Sequence, residues 1–219
     1  EHTLIGNNGL TIEDLASFWQ AIAKEFSTFK NIYGYGLMNE PHDLAPETKW
    51  FDMAQASINA IREVDTNTLI MVGGNDWSSA ERWIEQSDTL KFLKDPANNL
   101  AFEAHVYFDK DASGTYKYSY EEEECYPEKG IDRVKPFVEW IKQNKFHGFI
   151  GEYGIPDNDP RWNETLDLFL GYLQENGING TYWAAGPWWD TYFMAITPKD
   201  GKDRPQMPII EKYTSTLKK

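Results

Sequence analysis

Cysteine is nearly absent. Cys125 stands alone in 219 residues, which excludes an intrachain disulfide and any cysteine-rich zinc cluster and leaves it as a loop bystander. Histidine is scarce as well: four residues supply neither an H-E-x-x-H helix nor a Cys/His metal pattern, so no metal and no cofactor are expected. His2, His42 and His147 are expected to be ordinary hydrogen-bonded core histidines. A G-x-S-x-G elbow and a Gly-rich phosphate loop are missing; Gly73-Gly74-Asn75 lacks the nucleotide-loop spacing and is expected to be a turn. No stretch approaches the roughly 18 apolar residues of a membrane helix. Neither a linker nor an internal repeat interrupts the chain, so residues 1–219 are expected to form a single domain. The opening Glu1-His2-Thr3-Leu4 lacks the basic-then-apolar pattern of a signal peptide, which reads as a mature or truncated chain. Positive charge is also short, with 21 Lys and Arg against 35 Asp and Glu and a formal charge of −14. Such a field repels phosphate backbones and anionic lipid, so neither nucleic acid nor membrane is an expected partner.

Aromatic residues, by contrast, are plentiful: nine Trp, twelve Tyr and twelve Phe make 15% of the chain. Their flat apolar faces match the C–H faces of sugar rings, which an acidic protein can bind without charge.

Apolar periodicity alternates along the sequence. Thr11 precedes Asp14 by three residues, a capping-box spacing, and Leu15, Phe18, Trp19, Ile22 and Phe26 follow at helical intervals. Further helices are expected from about Pro46 to Val64, Ile131 to Gln143 and Trp162 to Glu175, about five in all. Short apolar runs at Ile32–Met38, Thr68–Val72, Leu100–Tyr107, Gly148–Gly151 and Gly180–Ala184 read as five buried strands. Strand and helix in strict alternation imply a parallel sheet, either doubly wound or a (β/α)8 barrel, with ligands at the strands' C-terminal ends. Polar residues cluster at those ends: Asn39-Glu40-Pro41, His105-Val106-Tyr107, Glu152 and Trp183.

A carboxylate at a buried strand end is costly unless it is paired, so Glu40 and Glu152 need explaining. Two of them, with His, Tyr and Trp at neighbouring ends, suit glycoside hydrolysis, in which one carboxylic acid protonates the leaving oxygen and a second carboxylate attacks or activates water. Glu121-Glu122-Glu123-Glu124, in contrast, reads as a solvated loop run.

Tyr35-Gly36-Leu37-Met38-Asn39-Glu40-Pro41-His42, His105-Val106-Tyr107, Ile150-Gly151-Glu152-Tyr153-Gly154 and Tyr182-Trp183-Ala184-Ala185-Gly186-Pro187-Trp188-Trp189 resemble, in that order, glycoside hydrolase family 5 of clan A in its endo-β-1,4-glucanase (cellulase) branch. Gly74-Asn75-Asp76-Trp77-Ser78-Ser79-Ala80 is similar to a loop of that branch. The resemblance implies a (β/α)8 TIM barrel and a secreted, retaining endoglucanase acting on cellulose or related β-glucans, with mannan or xyloglucan as variants decided by loops. It implies Glu40 as acid/base and Glu152 as nucleophile, their carboxyl groups about 5–5.5 Å apart. Asn39 would hold the 2-hydroxyl, His105 and Tyr107 would line the reacting subsite with Tyr107 hydrogen-bonded to the nucleophile, and Trp183 would stack beneath the sugar. Trp77, Trp188 and Trp189 are candidates for flanking subsites.

The match departs from the family at its start. Five strands are what the sequence yields, so the chain is expected to supply about strands 4–8, and Thr3-Leu4-Ile5-Gly6 resembles the segment after the third strand. The Arg and His that the family carries near its second and third strands have no counterpart. Open sheet edges of that kind are normally closed, so the expectation is completion by an N-terminal barrel segment or by self-association. The alternative is a non-hydrolytic fragment that binds glucan or assembles with a complementary chain.

Overall fold

A computed structural model describes residue 5 and residues 9–45 and 49–214. His2, most of Thr3–Gly6 and the expected helix start at Pro46 lie outside the described residues. The element order is α1 (Ile12–Phe26), β1 (Gly34–Gly36), α2 (Trp50–Arg62), β2 (Leu69–Gly73), the one-turn α3 (Asn75–Ser78), α4 (Trp83–Ser87) running into a 3-10 turn at Asp88–Phe92, β3 (Leu100–Tyr107), α5 (Lys129–Asn144), β4 (His147–Gly154), α6 (Arg161–Glu175), β5 (Asn179–Gly180), a 3-10 turn at Pro187–Trp189 and α7 (Met207–Tyr213). The five strands are ordered β1-β2-β3-β4-β5. Parallel ladders register Gly34 with Leu69, Ile70 with Leu100 and Phe149 with Asn179.

Three expected strands change length. The first is confined to Gly34–Gly36 rather than Ile32–Met38, with Leu37 adding a single backbone bond to Met71. Glu152 lies inside β4, which runs on to Gly154. The last strand is shorter than Gly180–Ala184: its ladder ends at Gly180, and Thr181 and Trp183 keep only single backbone bonds to Ile150 and Tyr153, 2.9 and 2.8 Å long. Trp183 therefore sits in a loop three residues past β5. The short helices α4 and α7, with five and seven residues, escape a periodicity reading that needs two or more turns.

Contacts group the chain into two compact units, Glu1–Ala104 with Trp140–Gly148, and His105–Glu139 with Phe149–Lys219. In the first, the Thr11 capping box forms as its spacing predicts: Asp14 N–H donates to Thr11 Oγ1 (3.1 Å) and Thr11 N–H to Asp14 Oδ2 (2.8 Å). Helix α2 buries Met53, Ala54, Ile58 and Ile61, and Trp83, Phe102, Trp140 and Phe146 make an aromatic cluster with ring centroids 4.8–6.4 Å apart. Arg62, almost wholly buried, pairs with Asp95 at 2.7 Å and also donates to the carbonyls of Asp65 and Thr68. In the second unit Phe108, Phe137, Tyr153, Trp162 and Phe169 are buried.

Asp65 is a polar node of the first core. Its carboxylate accepts from Asn67 N–H (2.9 Å), Thr68 N–H (2.9 Å), the Thr68 hydroxyl (2.6 Å) and the Tyr35 hydroxyl (2.8 Å). Burial alone would raise this carboxyl, but the four donors outweigh it and lower its pKa to about 2. The folded value lies below the unfolded one, so the stabilisation is complete above about pH 4 and is lost as pH falls towards 2. Asp65→Asn is expected to cost about 2–3 kcal/mol in urea unfolding at pH 7, and the deficit should shrink at pH 2. An equal deficit at both pH values would show that charge is not the cause.

Candidate active site

In the first unit, side chains on α1 and α2 secure the strand ends that carry the candidate residues. Leu37 N–H continues β1 by donating to Met71 O (3.1 Å), and the α1 indole of Trp19 donates to Leu37 O (3.1 Å). The next residues are Met38, exposed Asn39 and half-buried Glu40, whose φ of 45° is left-handed. A non-glycine residue holds that backbone at a cost of about 1–3 kcal/mol unless its surroundings demand it, and such residues gather at functional sites. The α2 indole of Trp50 likewise donates to Gly73 O (2.7 Å) at the end of β2.

Gly74 shows why this turn needs glycine. A Cβ there would lie 2.4 Å from the buried Trp83 ring and 2.9 Å from Ser87 Oγ. The glycine thus serves close packing against an indole. Asp76, Trp77 and Ser78 follow in three successive left-handed conformations, with φ 53–56°. They present Trp77 to the His42 ring, stacked at 4.4 Å and 14°, over a cleft of about 290 Å³ lined also by Pro41, Asp43 and Asn75. One face of Trp77 is therefore taken by His42. The expected core placement of His42 and His147 is not found: both are exposed, and His42 lies 3.0 Å from Asp43 Oδ2.

In the second unit β3 and β4 bring three candidates together. Buried Tyr107 donates its hydroxyl to Glu152 Oε2 at 2.7 Å, and buried His105 places Nδ1 3.7 Å from the same oxygen, beyond hydrogen-bond reach. Burial, then the Glu152 charge and this hydrogen bond, push the Tyr107 hydroxyl far above its ordinary value, so it stays a donor at any working pH. The buried Arg133 guanidinium holds the strand end by donating to the carbonyls of Tyr107 and Lys110.

Trp183, whose peptide to Ala184 is cis, packs edge-on against Trp189 with centroids 4.9 Å apart, and Trp189 meets Tyr192 at 4.9 Å. Trp188 leaves this cluster entirely, 94% exposed. Burial raises the Tyr192 hydroxyl, as do the Glu152 and Asp109 charges, while a Trp183 hydrogen bond opposes them.

The acidic run is not uniformly solvated. Glu123 is buried and accepts from the N–H groups of Lys110 and Tyr118, both at 2.8 Å. Glu121 pairs with Arg161, Glu122 with Ser119, and Glu124 with Lys110. Cys125 is half-buried beside Thr165, and desolvation raises its thiol pKa, as befits a bystander.

A family model described as cellulase (glycosyl hydrolase family 5) matches residues 1–188. The chain belongs to glycosyl hydrolase family 5. Its strands accordingly form part of that family's (β/α)8 barrel. Endo-beta-1,4-glucanase B of Emericella nidulans is 36% identical over 193 residues, which are 86% of this chain and 56% of that protein. Among solved structures, Pseudomonas stutzeri endoglucanase Cel5A in complex with cellobiose is 42% identical, covering 99% of this chain and 64% of the other with a TM-score of 0.91. XacCel5A in complex with cellopentaose is 38% identical over 96% of this chain and 68% of the other, TM-score 0.85. The family 5 chain thus spans 56–59% of the first curated relatives it matches and about two thirds of the solved ones.

The sequence reading missed Asp109, Tyr116 and Tyr192. All three lie in loops, where no periodicity marks a side chain as facing a site.

Proposed function

We propose that this family 5 chain hydrolyses internal β-1,4-glucosidic bonds of cellulose or a related β-glucan by double displacement. The observation that carries the reading is the Tyr107–Glu152 hydrogen bond, in which the hydroxyl donates to and aims a carboxylate on β4. In the first step a Glu152 oxygen attacks the anomeric carbon while the Glu40 carboxyl donates its proton to the glycosidic oxygen. The sugar–oxygen bond to the departing chain breaks as the glycosyl–Glu152 ester forms. In the second step Glu40, now a carboxylate, takes a proton from water, the water oxygen bonds to the anomeric carbon, and Glu152 leaves as carboxylate. Two inversions give net retention.

Asn39 holds the 2-hydroxyl of the reacting sugar in this reading, His105 lines the subsite and Trp183 is its platform, its ring set by Trp189. Trp77 and Trp188 serve flanking subsites. Glucan as substrate is supported by the relatives named as endo-β-1,4-glucanases and by the solved neighbours bound to cellobiose and cellopentaose. Action on an extracellular polymer follows from the same reading, since insoluble glucan does not enter cells.

Completion by an N-terminal barrel segment or by self-association belongs to the proposal. It is supported by the greater length of the relatives, by Phe18, Phe29 and Tyr33, each at least half exposed in the first unit, and by a cavity of about 690 Å³ beside β5 in the second.

The test is a proton NMR time course on a soluble cello-oligosaccharide. The β-anomer is expected to appear first and mutarotate later, with Glu152→Gln as the control for contaminating hydrolase. First appearance of the α-anomer would mean inversion, and sugar binding without turnover would favour a binding fragment.

A further inference from the structure

The loop after β3 is built around a buried carboxylate that the hydrolytic scheme does not use. Asp109, fully buried, accepts from the N–H groups of Gly114 (3.0 Å), Thr115 (3.0 Å) and Tyr116 (3.2 Å) and from the Ser113 hydroxyl (3.0 Å). Drawing the chain around one carboxylate puts Ala112, Gly114 and Tyr116 in left-handed conformations, with φ of 59°, 72° and 43°. Such backbone persists only where the surroundings over-determine it, and this loop meets the candidate site at two places.

The first place is Gly114. A Cβ there would lie 2.9–3.0 Å from three atoms of the Tyr107 ring, so the bare backbone forms a wall against the ring whose hydroxyl holds Glu152. The second is the buried Tyr116 hydroxyl, which accepts from Phe108 N–H (2.9 Å) and donates to Gly154 O (2.6 Å). Phe108 directly follows Tyr107, and Gly154 follows Glu152 by two residues. One hydroxyl therefore ties the backbone just beyond both members of the Tyr107–Glu152 pair.

We propose that the Asp109–Tyr116 loop is a brace that positions the Tyr107–Glu152 pair, with Gly114 fixing the Tyr107 ring and the Tyr116 hydroxyl fixing the spacing of the two strand ends. Tyr116 and Gly114 are positioning residues and touch no substrate. The inference rests on the reading of Glu152 as nucleophile, but its geometry belongs to this chain whatever the substrate. His105, Tyr107 and Tyr192 are titratable groups of this unit that face Glu152.

Tyr116→Phe removes one oxygen and leaves Phe108 N–H and Gly154 O without their shared partner. On cello-oligosaccharide its kcat is expected to fall about tenfold with KM within about twofold, the split expected when a reacting group is misplaced and binding is kept. The Glu152 carboxyl, followed by NMR in protein labelled with ¹³C at glutamate Cδ and assigned with Glu152→Gln, should titrate at higher pH than in the parent. Tyr107→Phe should move it the same way, because a donated hydrogen bond favours the ionised form. The double variant should shift it no further than Tyr107→Phe alone. If Tyr116→Phe does not fold, Gly114→Ala, which keeps the hydroxyl and pushes a methyl group at the Tyr107 ring, is measured in its place with the same expectation. An unmoved Glu152 titration in the folded variant, or shifts that add in the double variant, would overturn the brace even if the parent is fully active. A shifted titration in the folded variant, with a parent that turns over no glucan, would uphold the brace and overturn the glucanase reading.

Discussion

Glu152→Gln is expected to lower glucan turnover by at least about 10⁴-fold, equivalent to about 5.5 kcal/mol of transition-state stabilisation. The amide matches the carboxylate in shape and still accepts the Tyr107 hydroxyl proton, so the 2.7 Å hydrogen bond has an acceptor in the variant and folding should be kept. What the amide lacks is the negative charge and the nucleophilic lone pair that form the glycosyl ester. The loss should therefore be the same for natural oligosaccharide and for an aryl glycoside with an activated leaving group. Steady-state kinetics on both substrates, with thermal melting of the two proteins as the folding control, measure this. Residual activity above about one part in 10³ with an unchanged melting curve would remove Glu152 from the nucleophile's role.

The acid/base variant should behave differently. Glu40→Gln is expected to lower turnover of natural oligosaccharide by about 10²–10⁴-fold, because the departing sugar alkoxide is a poor leaving group without a proton. On an activated aryl glycoside the first step needs little proton transfer, so the glycosyl–Glu152 ester should form at near-parental rate and accumulate. A burst of phenol followed by a slow steady state is the expected trace. Azide should then restore turnover, since an anion needs no base to attack, and the product should be a β-glycosyl azide. Equal losses on both substrates with no azide rescue would contradict this role. The left-handed backbone of Glu40, at φ 45°, adds a structural control. Glu40→Gln keeps the same backbone demand, whereas a β-branched residue would add strain and confound the result.

Legibility in the sequence differed between the candidate residues for a physical reason. Glu40, His105, Tyr107 and Glu152 follow or end apolar runs that read as buried strands, and although one polar residue at such a place is ordinary, several together at neighbouring ends have few bland explanations. The Thr11 capping box and helices α1, α5 and α6 were legible on similar grounds, because their signals lie within a few turns of helix. Trp183 was found as a candidate but misplaced on a strand. The apolar character of residues 180–184 is shared by a strand and by a loop packed on aromatic rings, and periodicity does not separate the two. Trp188 and Trp189 are adjacent in sequence, yet one packs into the Trp183–Tyr192 cluster and the other points to solvent, a difference set by the 3-10 turn that carries them.

By itself the sequence determined the order of strands and helices and the residues at the strand ends, because local hydrophobic period and turn chemistry act over three to eight residues, while the family was legible only through the resemblance of the motifs at those ends. It also identified Asn39, Trp77 and the acidic run without saying what each one meets. The tertiary structure alone decided that His42 covers Trp77, that Glu123 is buried as an acceptor of two backbone N–H groups, and that Tyr116 ties Phe108 to Gly154. The last of these joins residues 38 positions apart through one hydroxyl. No local pattern encodes such a bond, because its energy is gained only after β3, β4 and the loop between them have been brought together.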